Sequence, residues 1–201
     1  MVEKVTFSPD PDKIAAAVAY LAQGSINDDN FGEIKLVKLL YYADCAAYQR
    51  TGKPITGTTY IKMPHGPYPD RWQTTIGSLE SGGTVRLSQE RIGDEYVRKH
   101  WLPGENAATS VLTARDRKFL DEQLRRFAGF NGAEIEEYSH DELAWHATRE
   151  REAMPYELSG IRRPSLPPDE ETVARGRRIA RRIREEGRRV SRLVVERDET
   201  V

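Results

Sequence analysis

Lys35-Leu36-Val37-Lys38-Leu39-Leu40-Tyr41-Tyr42-Ala43-Asp44 is the stretch on which the fold turns. Ile34 precedes it, and the run continues through Cys45 to Tyr48 and ends before Gly52. Only Glu33, Lys35, Lys38 and Gln49 clearly break an apolar pattern that goes almost all the way round a helix. Such a helix has to be covered on several sides, so it is expected to be the central helix of the fold. Asn30 followed by Glu33 resembles a capping box with Asn in place of Ser or Thr. Lys35 and Lys38, three apart, are expected to form the solvated strip. At about 100° per residue, Val37, Tyr41, Asp44 and Tyr48 share a stripe. A carboxylate there must find donors or a cation, because burying it unpaired costs several kcal/mol. Asp44 is then either a structural anchor to a loop amide or an arginine, or a polar group lining a binding cleft. Cys45 in the same run is expected to pack as a small inert hydrophobe.

Working outward, Asp10-Pro11 starts a helix with Ile14, Val18, Leu21 and Ala22 on one face and Gly24 at its end. Thr58 to Met63 suits a strand. Pro64-His65-Gly66-Pro67-Tyr68-Pro69 should break it, since three prolines and a glycine suit neither a ladder nor a helix interior. The result is a stiff loop with His65 and Tyr68 at its tip. It is either a recognition element, losing little entropy on binding, or simply a strand end and helix start. Asp70 can cap a helix through Trp72, Ile76 and Leu79 to Gly82-Gly83. Thr84–Arg91 and Tyr96–Leu102 flank Gly93-Asp94-Glu95 as a hairpin. Thr113 can cap a helix with Phe119, Leu120, Leu124 and Phe127, and Gly132 to Arg149 reads as helical with a break at Ser139-His140. Trp72, Trp101 and Trp145 read as core aromatics. The expectation is a mainly α (α+β) chain: a compact helical domain around a buried central helix over 1–160, with a small antiparallel sheet. A Pro-rich linker at 161–168 and an Arg-rich helical tail at 169–201 follow.

The chain has 201 residues, with 31 Lys+Arg against 32 Asp+Glu and a net charge of −1, which argues against a globally basic nucleic-acid binder. A single cysteine excludes a disulfide framework or a Cys-based zinc cluster. No apolar run approaches the ~18–20 residues of a membrane span, and Met-Val-Glu-Lys-Val is no secretory signal, so a soluble cytoplasmic protein is expected. Phosphate-loop, dinucleotide-binding, zinc-protease and nucleophile-elbow motifs are all missing from the sequence. His140 and His146 are six apart, off the helical ligand spacing, and His65 and His100 stand alone. No catalytic set, metal or cofactor is therefore expected. The tail is the exception to the charge balance: nine arginines between Arg175 and Arg192 face only Glu185 and Glu186, a net +7. Ile179, Ile183, Val190 and Val194 give it a narrow apolar stripe. Three readings of it stand open: a solvated helix packed on the body or on a second subunit, a ligand for an acidic protein surface, or a phosphate binder. In the last two, Arg177, Arg178, Arg181, Arg182, Arg188 and Arg189 are the candidate contacts.

Lys35–Asp44, then Gly52-Lys53-Pro54-Ile55-Thr56-Gly57, Tyr60, Met63 and His65-Gly66-Pro67, form an ordered set that resembles the Panacea domain, the SocA-like antitoxin family. Ser139-His140-Asp141-Glu142-Leu143-Ala144-Trp145 is similar to a segment of that family's last helices. The resemblance covers roughly 10–158 and leaves out the tail. It implies a compact, mainly helical domain with a small sheet, acting as an antitoxin that neutralises a small cognate toxin of a bacterial or prophage pair. It brings no catalytic residues with it. On this reading the partner contacts fall on Asp44, Tyr60, Met63, His65, Gly66, Pro67 and Tyr68. Two alternatives stand beside it: a nucleic-acid-binding regulator acting through the tail, and an adaptor presenting a partner to a protease.

Overall fold

The computed structural model describes residues 5–92 and 96–162. The expected Gly93-Asp94-Glu95 turn, most of the linker and the whole tail with its six candidate arginines lie outside the described residues. Within them, the chain forms six α-helices, one 3-10 turn and two separate two-stranded antiparallel sheets, a mainly α fold with a small β component.

Helix α1 (Pro11–Gly24) starts as its sequence demands. Asp10 accepts hydrogen bonds from the amides of Asp12 and Lys13, and Pro11 takes the first turn, where no amide is needed. Its buried face is Ala16, Ala17, Val18, Ala19, Leu21 and Ala22, small side chains that let the helix approach its neighbours closely. Helix α2 (Glu33–Thr51) is the centre of the molecule. Leu36, Val37, Leu39, Leu40, Tyr41, Tyr42 and Ala43 are all buried, each large aliphatic side chain contributing roughly 2 kcal/mol of transfer free energy. Gly52 ends it in the left-handed region (φ 74°), donating its amide to the Tyr48 carbonyl at 2.7 Å. The start differs from the expected capping box. Gly32 is the cap and offers no side chain, while the Glu33 carboxylate accepts from Trp72 Nε1 at 3.2 Å and Gln73 Nε2 at 2.9 Å. A long-range partner outcompetes the local one, and the helix start is tied to a distant helix.

Strands β1 (Tyr60–Met63) and β2 (Gly66–Pro69) form a hairpin, which corrects the expectation that the prolines forbid a ladder. Pro67 and Pro69 stand opposite Lys62 and Tyr60, and those two residues turn their backbone groups to the other side. There Lys62 exchanges bonds with Glu152 and Arg151, and Tyr60 accepts from Met154. The prolines thus occupy the positions of the ladder where no amide is required. Helix α3 (Trp72–Ser81) follows. Its cap is Arg71 in the left-handed region (φ 54°), not Asp70, whose amide instead bonds the Thr59 carbonyl. Strands β3 (Val85–Ile92) and β4 (Tyr96–Pro103) pair in simple register and bury Val85 and Trp101. Helix α4 (Ala114–Arg126) begins with a true capping box between Thr113 and Asp116. Helix α5 (Gly132–His140) begins with another, between Asn131 and Glu134. The chain then breaks where Ser139-His140 suggested, and α6 (Leu143–Ala147) and the 3-10 turn Tyr156–Leu158 close the body. α1, α4, α5, β2 and β4 all pack on α2. No helix among the described residues is long and apolar enough to cross a membrane.

Candidate functional site

The residues singled out from sequence separate into two groups, one internal and one presented. Asp44 and Tyr60 are internal, at 0% and 1% exposure. Asp44 Oδ1 accepts the Thr56 amide at 2.8 Å, and Oδ2 accepts the hydroxyls of Thr56 at 2.5 Å and Tyr60 at 2.8 Å. The Thr56 hydroxyl sits 2.8 Å from that of Thr58, and the Tyr156 hydroxyl donates to the Thr58 carbonyl. Burial pushes the Asp44 carboxyl up to about 6, against the lowering effect of the donors from Thr56 and Tyr60. Asp44 is therefore the anchor that fixes the Ile55–Thr58 loop and the start of β1 on the central helix, the first of the two roles its sequence allows. Cys45 beside it is buried, and desolvation raises its thiol well above its usual range.

The presented group is the β1–β2 hairpin. Pro64 and His65 form its tip, and the His65 side chain is 64% exposed, with Nδ1 3.1 Å from the Glu136 carboxylate. Met63 and Tyr68 are half-buried, and Gly66 and Pro67 are buried. Gly66 has φ +89°, and a Cβ there would collide with Ser139 Oγ and crowd Lys38 Cε at 2.7 Å. Glycine is required twice over, by the backbone and by the close approach of α2 and α5.

What holds the hairpin was not anticipated. Lys38, expected on a solvated strip, is fully buried and donates to the Pro67 carbonyl at 3.1 Å, with its ammonium 4.8 Å from the Tyr68 ring centre. Burial pulls its amine down to about 7, with Glu136 pushing the other way. Lys35, the other half of that strip, is also buried, at 2.6 Å from Asp28 and in hydrogen-bond range of the Ala128 and Phe130 carbonyls. On β1, Lys62 reaches the carbonyls of Trp145 and Thr148 and lies over the Trp145 ring at 4.3 Å. His140 stacks on that same Trp145 ring, with 4.2 Å between ring centres, and burial holds its imidazole below its ordinary range. Ser139 Oγ donates to the Glu136 carbonyl, and Glu142 accepts from the Tyr41 hydroxyl at 2.9 Å.

Three separated stretches of sequence therefore meet at one place. Lys38 and Tyr41 come from α2, Lys62 to Tyr68 from the hairpin, and Glu136 to Trp145 from α5 and α6. Sequence reasoning found the stiff turn at 64–69 but not its pairing into a hairpin, and it missed Lys35, Lys38, Lys62, Glu136 and Ser139 as the supports. A signal was present: two lysines inside a helix apolar all round cannot both reach water. Among the described residues, no group of three or more His, Cys, Asp or Glu is arranged to hold a metal ion. A family model described as antitoxin SocA-like, Panacea domain, matches residues 36–146, which spans α2 through α6 and contains the whole of this corner. No curated protein and no solved structure matches the chain.

Proposed function

Because the chain belongs to the antitoxin SocA-like, Panacea domain family, we propose that it is an antitoxin that binds a small cognate toxin directly, with the β1–β2 hairpin tip as part of its docking face. The observation that carries this reading is the asymmetry of the hairpin. Its inner side is fixed by Lys38, Lys62 and the 151–154 segment, while Pro64, His65 and part of Tyr68 face outward. A preordered tip loses little conformational entropy on binding, which favours recognition over chemistry. The protein acts by complementarity: Asp44 and Cys45 are sealed inside and offer a substrate nothing. Exposed Leu143 (39%) and Ile161 (48%), whose backbones are bonded to one another, add apolar surface next to α6.

The test is co-expression with the product of the neighbouring small gene. Rescue of growth by the wild-type chain is expected, together with a drop of at least tenfold in affinity for that product in the His65→Ala/Tyr68→Ala double variant. Undiminished binding by a folded double variant removes the hairpin from the docking face, and a neighbouring product that neither inhibits growth nor binds removes the antitoxin reading.

A further inference from the structure

Prolines fix φ near −65° but leave ψ free, so they stiffen the hairpin without deciding where their carbonyls point. The Pro67 carbonyl belongs to a residue whose strand partner, Lys62, directs its own backbone bonds to the 151–154 segment. The ladder does not orient it; Lys38 does, as the only donor to that oxygen from a side chain among the described residues. The Lys38 ammonium in turn has no carboxylate in ion-pair range there. It faces the Tyr68 ring of the hairpin and Glu136 and His140 of α5; Glu33 of its own helix acts with Glu136 on Tyr68, and Lys35, one turn earlier, is engaged by Asp28. Glu136 is itself held by His65 at 3.1 Å.

We infer that Lys38 is the positioning residue of the hairpin: its protonated amine holds the Pro67 carbonyl and lies beneath Tyr68, and loss of that proton slackens the grip on Gly66–Tyr68. A charged donor makes a hydrogen bond roughly twice as strong as a neutral one, and only the ammonium is attracted to the Tyr68 ring. Burial without a counter-charge places the transition near neutrality, at about 7, so the two states exchange dominance over a narrow range. Its importance for docking rests on the reading given above, but the placement of Lys38 does not.

The experiment uses the full chain, isotope-labelled and without any partner. The Lys38 side chain, the Gly66 amide and the Tyr68 ring are followed by NMR between pH 5.5 and 9 in wild type, Lys38→Met and Lys38→Arg. Lys38 is expected to titrate with a midpoint near 7, and Gly66 and Tyr68 to carry a component with that midpoint. The component should vanish in both variants: methionine has no proton to lose, and arginine does not lose its own. A Lys38 midpoint that stays above about 9, or Gly66 and Tyr68 responses identical in wild type and either folded variant, overturns the inference. Should Lys38→Met fail to fold, the direct titration and Lys38→Arg still decide. Because no partner is present, a negative result here leaves the antitoxin reading standing, and a failed growth rescue leaves this one standing.

Discussion

Lys35 and Lys38 sit one turn apart on the same helix, both at 1% exposure or less, and they live in opposite circumstances. Lys35 has Asp28 at 2.6 Å and two backbone carbonyls, from Ala128 and Phe130. Lys38 has one carbonyl and an aromatic face. The first is a closed ion pair that ties α2 to the Asp28 loop and to the end of α4. The second is a charge whose partners are all weaker than the water it gave up, which is why burial moves it toward neutrality. Burial alone does not tell a structural cation from a labile one; the completeness of its coordination does.

Asp44, six residues beyond Lys38 on the same helix, belongs with Lys35, and removing it should have the largest effect. Asp44→Ala strips the acceptor from the Thr56 amide and from two buried hydroxyls, and a loss of about 4 kcal/mol in chemical denaturation is expected. Lys35→Met is expected to lose about 3 kcal/mol, because it leaves Asp28 and two carbonyls without their cation. Lys38→Met should break the symmetry: at pH 7 it leaves stability unchanged or raises it by about 1–3 kcal/mol, since a poorly compensated charge gives way to a side chain of similar shape. If both lysine variants lose stability equally, the distinction between the two niches fails.

A fourth expectation concerns pH. The Lys38 amine titrates near 7 when folded and near 10.5 when free, so between those values the unfolded chain binds more protons, and stability rises with pH. Asp44 acts in the opposite sense: raised from 3.8 to about 6, it makes the fold lose stability as pH climbs through that interval. Wild type is therefore expected to gain about 3 kcal/mol in urea denaturation between pH 7 and 9.5, and Lys38→Met is expected to lack that gain.

Much of this was legible in the chain. The apolar run from Ile34 to Tyr48 identified the central helix, and Asp10, Thr113 and the Ser139-His140 break set helix boundaries that the structure keeps. Those features depend on neighbours a few residues away. Glu33 and Asp70 are not the local caps their positions suggest: Trp72 and Gln73 take the Glu33 carboxylate from a distance, and at Asp70 the backbone is still bonded to Thr59, so the helix starts one residue later, after Arg71. The hairpin prolines were misjudged because their tolerance depends on which side of the ladder each residue faces, and that is fixed by the 151–154 segment. The two lysines were misplaced for the same reason, since a helix pattern shows how many sides are apolar but not what waits opposite each polar exception.

The amide of Val5 bonds the Glu157 carboxylate at 2.9 Å, while Phe7 packs edge-on against Tyr156. Val5 consequently lies within a few residues' reach of the end of the described body at Arg162, a distance that a short peptide can span. A circularly permuted version, reopened in the surface connection around Glu105–Ala108, should keep every contact of the hairpin corner and so free both new ends for attachment of a reporter.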